Sequence, residues 1–452
     1  MATQHMTEGK ILRKICIFAI PCILTRIFQN LYNLIDSAMV GYAIDVTSFA
    51  AVGATGAIIS LFNDSLLGLM NGFSVVAGNK YGAGNFDELK KVYANSLIIT
   101  ALVSILVSVL GAFFSYTMLS LMQTPQEIIM EAQKYMIIIF AGMWAAAFYN
   151  FFGEMLRAVG NSLMPLVFLI FSFVTHAVLN YVLLFVFNTG VGGVAISTVL
   201  SQVISAMLCI AYINKKAPFF KLKLKDIKPD ITVIKECLRM GIPMSVTNFV
   251  VMFGVIILGF ITNKMGTEYI AGYTCASKIG YIITAPLFGL ATAASVFVAH
   301  NMGARNFDRI KEGVRKTILF TTVVNIALFI LTKITAKPIL NALLSGETIG
   351  VEAGLLYLDI RTIAMFWLTL AAVYKSVITA LGTPFFSTVS GFLEIAVRYI
   401  VPINLTGILG FAAVPLTDAI TWLILALFLT PAYLYEFKKV TKEAKLYEKH
   451  QL

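Results

Sequence analysis

Residues 66–90 read LLGLMNGFSVVAGNKYGAGNFDELK, and residues 287–311 read LFGLATAASVFVAHNMGARNFDRIK. The two stretches align without a gap, and their shared GA-x-NFD-x-x-K end is too specific for coincidence. An apolar run of helical length, closed by a polar turn, therefore occurs twice in one chain. Working outward, Ala19-Ile20-Pro21 matches Gly241-Ile242-Pro243, Gly160 falls opposite Gly382, Tyr181 opposite Tyr399 and Gly192 opposite Gly410. The repeat covers whole halves of the chain.

Each turn suits the end of one helix and the start of the next. Gly82-Ala83-Gly84-Asn85 and Gly303-Ala304-Arg305-Asn306 supply glycine or Asn for a left-handed cap, and Asp87 and Asp308 fit the first turn that follows. The surrounding segments are too apolar for a soluble protein. Of 452 residues, 59% are hydrophobic and 13% charged, against about 25% charged in a soluble domain. Runs of 20 or more apolar residues recur, each long enough to cross a hydrocarbon core about 30 Å thick. They predict twelve spans, over 15–42, 51–77, 95–121, 134–156, 164–188, 192–213, 238–262, 270–298, 316–340, 354–380, 385–406 and 410–434.

The net charge of +11 would suggest nucleic acid on a soluble protein. Here the basic residues gather in alternate loops: Lys10 to Lys14, Lys80 to Lys91, Arg157, Lys215 to Arg239, Arg305 to Lys316, and the tail from Lys438 to Lys449. The positive-inside rule then puts both ends of the chain in the cytoplasm and requires an even number of spans. No cleavable signal peptide is evident. Cys16, Cys22, Cys209, Cys237 and Cys275 have neither metal nor disulfide spacing and read as small core residues. No nucleotide-binding loop, zinc spacing or nucleophile motif occurs, so the reading is not an enzyme, and no cofactor is expected.

The expected fold is all-α: twelve transmembrane helices in two parallel six-helix bundles, related by a pseudo-two-fold axis along the membrane normal. The expected organisation is an N-terminal lobe over 1–214, a basic linker over 215–236, and a C-terminal lobe with its tail over 237–452. Such duplicated bundles are the architecture of transporters.

The chain resembles the multidrug and toxic compound extrusion family, nearer its DinF-like branch. The resemblance rests on QNLYNLIDSAMVG at 29–41, AAVGATG at 50–56, the two GA-x-NFD turns, LRAVGNSLMPL at 156–166, GVGGVAISTVLSQ at 190–202, TALGTP at 379–384 and the Glu394-to-Arg398 stretch. It implies an antiporter of the cell membrane that exports cationic amphipathic compounds in exchange for Na⁺ or H⁺, with the lipid bilayer as its other partner and one chain sufficient. Asp36 matches the family's acid in the first helix. The family's Asn and Asp four residues apart in the fifth span is met only in part, since Asn180 is followed by Leu184.

Arg26, Gln29, Tyr32, Asn33 and Asp36 fall on one stripe of the first span. A charge facing lipid there would cost about 3 kcal/mol, so the stripe faces protein or a water-filled cavity. Asp36 and Asn33 are candidate ion-coupling residues, with Asn180 as an oxygen ligand and Asp64 as a second acid; Asp36 and Asn180 are the candidate Na⁺ ligands. Gln29, Tyr32, Asn150, His176, Ser201 and Gln202 are candidate substrate contacts, with Ser197 beside them. Glu154 and Arg157, three apart near the cytoplasmic end of a span, read as an interfacial ion pair. Glu394 and Arg398, four apart, read as a structural ion pair. Lys278, Asp359, Arg361, Lys375 and Asp418 are also within or near spans. The position opposite Asp36 in the repeat is near Leu258, so ion coupling is expected in the first half. The alternative is a flippase for lipid-linked sugars, which would need Arg26, Lys278, Lys375 and Arg398 as partners for a pyrophosphate.

Overall fold

The computed structural model describes residues 5–43, 46–223, 226–262, 264–344 and 347–451, with side chains at all of these except 32–38, 40–43, 46, 47, 49, 445 and 447–451. Its helices are α1 (Ile11–Ala43), α2 (Val46–Gly82), α3 (Phe86–Phe113), α4 (Ser115–Leu121), α5 (Gln126–Ala141), α6 (Met143–Ala158), α7 (Leu163–Tyr181), α8 (Gly190–Lys216), α9 (Ile231–Thr262), α10 (Thr267–Gly303), α11 (Phe307–Leu343), α12 (Thr348–Ala380), α13 (Phe385–Leu409) and α14 (Ala413–Gln451). A π-helical turn, Val182–Val186, continues α7. Among the described residues, nine helical segments are long and apolar enough to span a membrane; one of them, Phe385–Ala444, joins α13 to α14 through a single 3₁₀ turn. The bent pair α5 and α6, at 45°, makes one further span. With α1 these account for the twelve expected crossings, and the chain is a multi-pass membrane protein.

Two expected spans are not single rods. The span over 95–121 breaks at Phe114 into α3 and α4, and the span over 134–156 bends at Gly142. Glycine is needed at the bend, because a Cβ on Gly142 would run into the Val199 side chain.

The two repeat turns fold alike. After α2, Asn85 N donates to Lys80 O (3.0 Å) with Gly84 at φ +69°; after α10, Asn306 N donates to Asn301 O (2.8 Å) with Arg305 at φ +55°. Both are left-handed caps that satisfy the last carbonyls of a helix. Asn85 then caps α3 by accepting from Glu88 N at 3.1 Å.

The described chain divides into two compact units. The first holds 24–245 and the second 5–23 with 246–452. The breaks fall inside α1 and α9, each two residues beyond a proline, Pro21 and Pro243. Each unit thus contains the opening segment of the helix that begins the other half of the repeat. In the first unit, Val233, Cys237 and Met240 of α9 join a core with Met70, Phe73 and Phe151. A Cβ on Gly68 would lie 2.6 Å from Met244 O, and one on Gly72 would run into Gly241. In the second unit, Ile15, Phe18 and Cys22 of α1 join a core with Leu290, Phe297 and Val377, and a Cβ on Gly289 would run into Ile23. Glycine is needed because backbones this close leave no room for a side chain, a packing mode suited to helices in lipid.

Polar contacts anchor the segments that lead into these helices. In the second unit Arg309 Nη2 donates to Glu8 O (2.9 Å) and Gly9 O (2.8 Å), and Asn301 Nδ2 donates to the carbonyl of buried Met6 (3.1 Å). In the first, Lys90 pairs with Asp226 (2.6 Å), Lys80 with Glu236 (3.1 Å), and Phe220 stacks on Tyr93 at 4.6 Å between ring centroids.

Structural landmarks refine the repeat register. Gly160 and Gly382 both take left-handed φ (+84° and +87°), and α7 and α13 both start three residues later. The next positive-φ glycines are Gly190 (φ +62°), which opens α8, and Gly410 (φ +54°), which opens the 3₁₀ turn leading into α14. Gly410 therefore corresponds to Gly190 rather than Gly192, and the matching of Tyr181 to Tyr399 gives way to a constant offset through α7 and α13. The first half holds two more residues between these landmarks (163 to 190 against 385 to 410), and the π-helical turn takes up part of that excess.

Candidate functional site

In the first unit the candidate residues of α7 and α8 meet in one buried cluster. His176 and Asn180 lie one turn apart on α7, with Asn180 Nδ2 3.1 Å from His176 Nε2. From α8, Ser197 Oγ donates to Asn180 Oδ1, and Thr198 Oγ1 stands 3.2 Å from His176 Nε2. Ser201, one turn on, donates to Thr198 O (2.8 Å), and its own carbonyl accepts from Ser172 Oγ (3.2 Å). All but Thr198 are at most 1% exposed. Side chains this deep must satisfy one another, since an unmet polar group costs about 1–3 kcal/mol. Gln202 adds a buried Oε1 with no hydrogen-bond partner among the described residues. The cluster ends directly before the π-helical turn, a distortion that often accompanies functional sites.

The other first-half candidates are more dispersed. Asp64 on α2 is half-buried, within electrostatic reach of Arg26 on α1, and Asn63 Nδ2 is 3.5 Å from its Oδ1. Gln29 is half-buried on α1. The side chains of Tyr32, Asn33 and Asp36 lie outside the described residues, although the backbone there is helical. Asn150 is buried on α6, one turn before Glu154. Glu154 accepts from Arg157 Nη2 at 2.7 Å. With its amide nitrogen turned to the carboxylate, Asn71 of α2 also donates to both Glu154 oxygens, at 3.2 and 3.1 Å. The Glu154–Arg157 pair forms and is largely enclosed by protein.

The second unit carries a buried charge cluster. Arg398 Nε donates to Glu394 Oε1 (3.2 Å), the pairing expected from their spacing. Arg398 Nη1 also reaches Asp418 Oδ1 on α14 (2.9 Å), and Arg361 Nη1 of α12 reaches Asp418 Oδ2 (2.5 Å). Tyr357 donates to the same Oδ2 (3.2 Å). Arg361 stacks over Trp422 at 4.9 Å, and its Nε is buried with no hydrogen-bond partner among the described residues. Lys375 lies within electrostatic reach of Glu394. Glycines make room for both arginines: a Cβ on Gly254 would lie 2.7 Å from Arg398 Cδ, and one on Gly280 2.9 Å from Arg361 Nε. Farther out, Lys333 and Asp359 pair at 2.7 Å. The sequence points to Arg361 and Asp418 one at a time, because the contacts of Asp418 with Arg361 and Arg398 join three helices. Thr198 is missed by composition alone. Its signal is the register, eight residues after Gly190 as Asp418 is eight after Gly410.

No group of three or more His, Cys, Asp or Glu able to hold a metal occurs among the described residues. Oxygen donors for a hard monovalent cation are nonetheless present in the α7–α8 cluster.

Bacillus subtilis YoeA, a probable multidrug resistance protein, is 28% identical over 86% of this chain and 85% of its own. Thermotoga maritima NorM, likewise a probable multidrug resistance protein, is 23% identical over 80% of this chain and 79% of its own. Among solved structures, a MATE crystal structure in the bent conformation superposes with a TM-score of 0.89 at 19% identity, covering 97% of this chain and 98% of that one. A MOP-superfamily transporter from Pyrococcus furiosus, described as having a binding pocket of reverse polarity, superposes with a TM-score of 0.88 at 19% identity over 98% of each chain. The MatE family model matches twice, over residues 21–182 and 243–404, which is the internal repeat in another form. The chain belongs to the MatE family, the multidrug and toxic compound extrusion transporters.

Proposed function

We propose that this transporter is a cation-coupled antiporter of the cell membrane, with both ends of the chain in the cytoplasm, that exports cationic amphipathic compounds by alternating access. The observation that carries this reading is the buried α7–α8 cluster around Asn180, in the same half of the chain as the acidic stripe of α1. Asp36 supplies the negative charge, Asn33 and Asn180 supply oxygen ligands, and Asp64 is the second acid. A carboxylate in such a site takes either the coupling ion, Na⁺ or H⁺, or the positive charge of a drug, and that competition is exchange. Gln29, Tyr32, Asn150, His176, Ser201 and Gln202 give the compound polar contacts. The relatives' names support a broad substrate range, and duplication within one chain supports function as a monomer. An ion gradient supplies the energy, so no cofactor enters the cycle.

A lipid-linked sugar flippase needs cations available to a pyrophosphate. Arg398, one of the four cations that reading would use, is engaged by both Glu394 and Asp418, which favours the antiporter.

The test is export of a cationic dye from reconstituted vesicles under an imposed Na⁺ or H⁺ gradient, applied separately. One gradient is expected to drive export, and Asp36→Asn to abolish it. Export by Asp36→Asn at the wild-type rate would remove Asp36 from the mechanism.

A further inference from the structure

The refined register puts the two clusters at the same place in the repeat. His176 follows the start of α7 by the same thirteen residues as Arg398 follows the start of α13 (163 to 176, 385 to 398). Thr198 follows Gly190 by the same eight as Asp418 follows Gly410 (190 to 198, 410 to 418). The contact His176–Thr198 at 3.2 Å in the first unit therefore corresponds to Arg398–Asp418 at 2.9 Å in the second. Ser197 and Ser201 correspond to Thr417 and Thr421, whose hydroxyls turn back to Ala413 O and Thr417 O. Where the first unit has an imidazole beside a hydroxyl, the second has a guanidinium held between two carboxylates.

From this we infer that Arg398 is a tethered cation filling the second unit's counterpart of the ion site, which closes that unit to the transported ion. The inference rests on the reading that the α7–α8 cluster serves the coupling ion. The charges around Arg398 support it. Asp418 pairs with Arg361 and Arg398, and Glu394 pairs with Arg398 with Lys375 within electrostatic reach, so three cations are gathered around two carboxylates. Tyr357, and Tyr273 packed on it at 5.3 Å, complete the surroundings. A further Na⁺ or proton would enter against three positive charges. Gly254 shows that the place is built for this side chain, since a methyl group there would displace the Arg398 stem. Removing Arg398 leaves Asp418 Oδ1 and Glu394 Oε1 facing the space it vacates, an arrangement suited to a small cation.

The experiment counts ions bound per purified chain, with radioactive Na⁺ in one arm and proton uptake from a pH indicator in the other. Wild type is expected to bind one ion. Arg398→Ala and Arg398→Gln are expected to bind two, with the second displaced by millimolar guanidinium. Arg398→Lys, which keeps a tethered charge, is expected to bind one. If Arg398→Ala and Arg398→Gln are poorly folded, methylguanidinium during purification is expected to restore the folded yield, where equal tetramethylammonium does not. One ion bound by Arg398→Ala, or no selective recovery by methylguanidinium, overturns the inference. Two ions bound by wild type also overturns it. A wild type that binds no ion and exports under neither gradient instead refutes the antiporter reading.

Discussion

Arg398 Nη1 lies 2.9 Å from Asp418 Oδ1, joining α13 to α14, and the far oxygen of the same carboxylate is held by Arg361 of α12. One aspartate thus bridges two buried arginines from two other helices. Replacing its carboxylate by the isosteric amide, Asp418→Asn, leaves both cations short of a counter-charge. Breaking a buried pair in this way costs about 3–5 kcal/mol. A marked fall in the melting temperature of the purified protein in detergent is the expected result. An unchanged transition would show that the pairs contribute nothing to stability.

The glycines beside the arginines give a second expectation. Gly254→Ala and Gly280→Ala each place a methyl group within 3 Å of an arginine fixed at its far end by Asp418. Overpacking of this kind costs about 1–3 kcal/mol. Gly259→Ala on the same α9 has open space around its Cβ, so it is expected to be neutral or to stabilise by up to about 1 kcal/mol. Thermal unfolding of the three variants side by side checks the contrast.

Arg305 occupies the left-handed cap position that Gly84 fills in the first half, at φ +55°. An L-residue with a side chain is strained there by about 1–2 kcal/mol. Arg305→Gly is expected to raise stability by about 0.5–1 kcal/mol, once the added freedom of the unfolded chain is set against the relief. Gly84→Ala is expected to lower it. Both follow from paired melting curves.

Arg309 donates to the carbonyls of Glu8 and Gly9, and its Nε to Met6 O at 3.3 Å. Charge-assisted bonds of this kind contribute about 1.5–3 kcal/mol each when both partners are ordered. Arg309→Ala is expected to free the segment before α1 while leaving the helices intact. Hydrogen exchange over residues 5–12 should quicken by about tenfold or more, with exchange in α12 unchanged. Equal protection of the segment in both proteins would mean that the buried Met6 side chain suffices to hold it.

The helices were legible because membrane-spanning segments advertise themselves by length and hydropathy, and the duplication was legible from the two GA-x-NFD turns. The breaks at Phe114 and Gly142 were not, because nothing local demands them; Gly142 packs against Val199, a neighbour 57 residues on (142 to 199). The same distinction runs through the sites. Glu394 and Arg398 sit one turn apart, and spacing alone pairs them. Asp418 joins them only because α14 returns alongside α13, so its role depends on tertiary packing. His176 and Asn180 could be read as neighbours on α7, but not the Ser197 and Thr198 hydroxyls that bind them.

The placement of the first segments of α1 and α9 bears on whether either half could stand alone. A six-helix half made alone would have one helical arm with no groove to bury it and one groove with no arm. Two copies trading arms satisfy both needs at once. The same packing would let two separate halves exchange arms as a dimer. A chain cut within the stretch over 217–230 should still assemble from its two pieces, since each holds the arm that the other lacks.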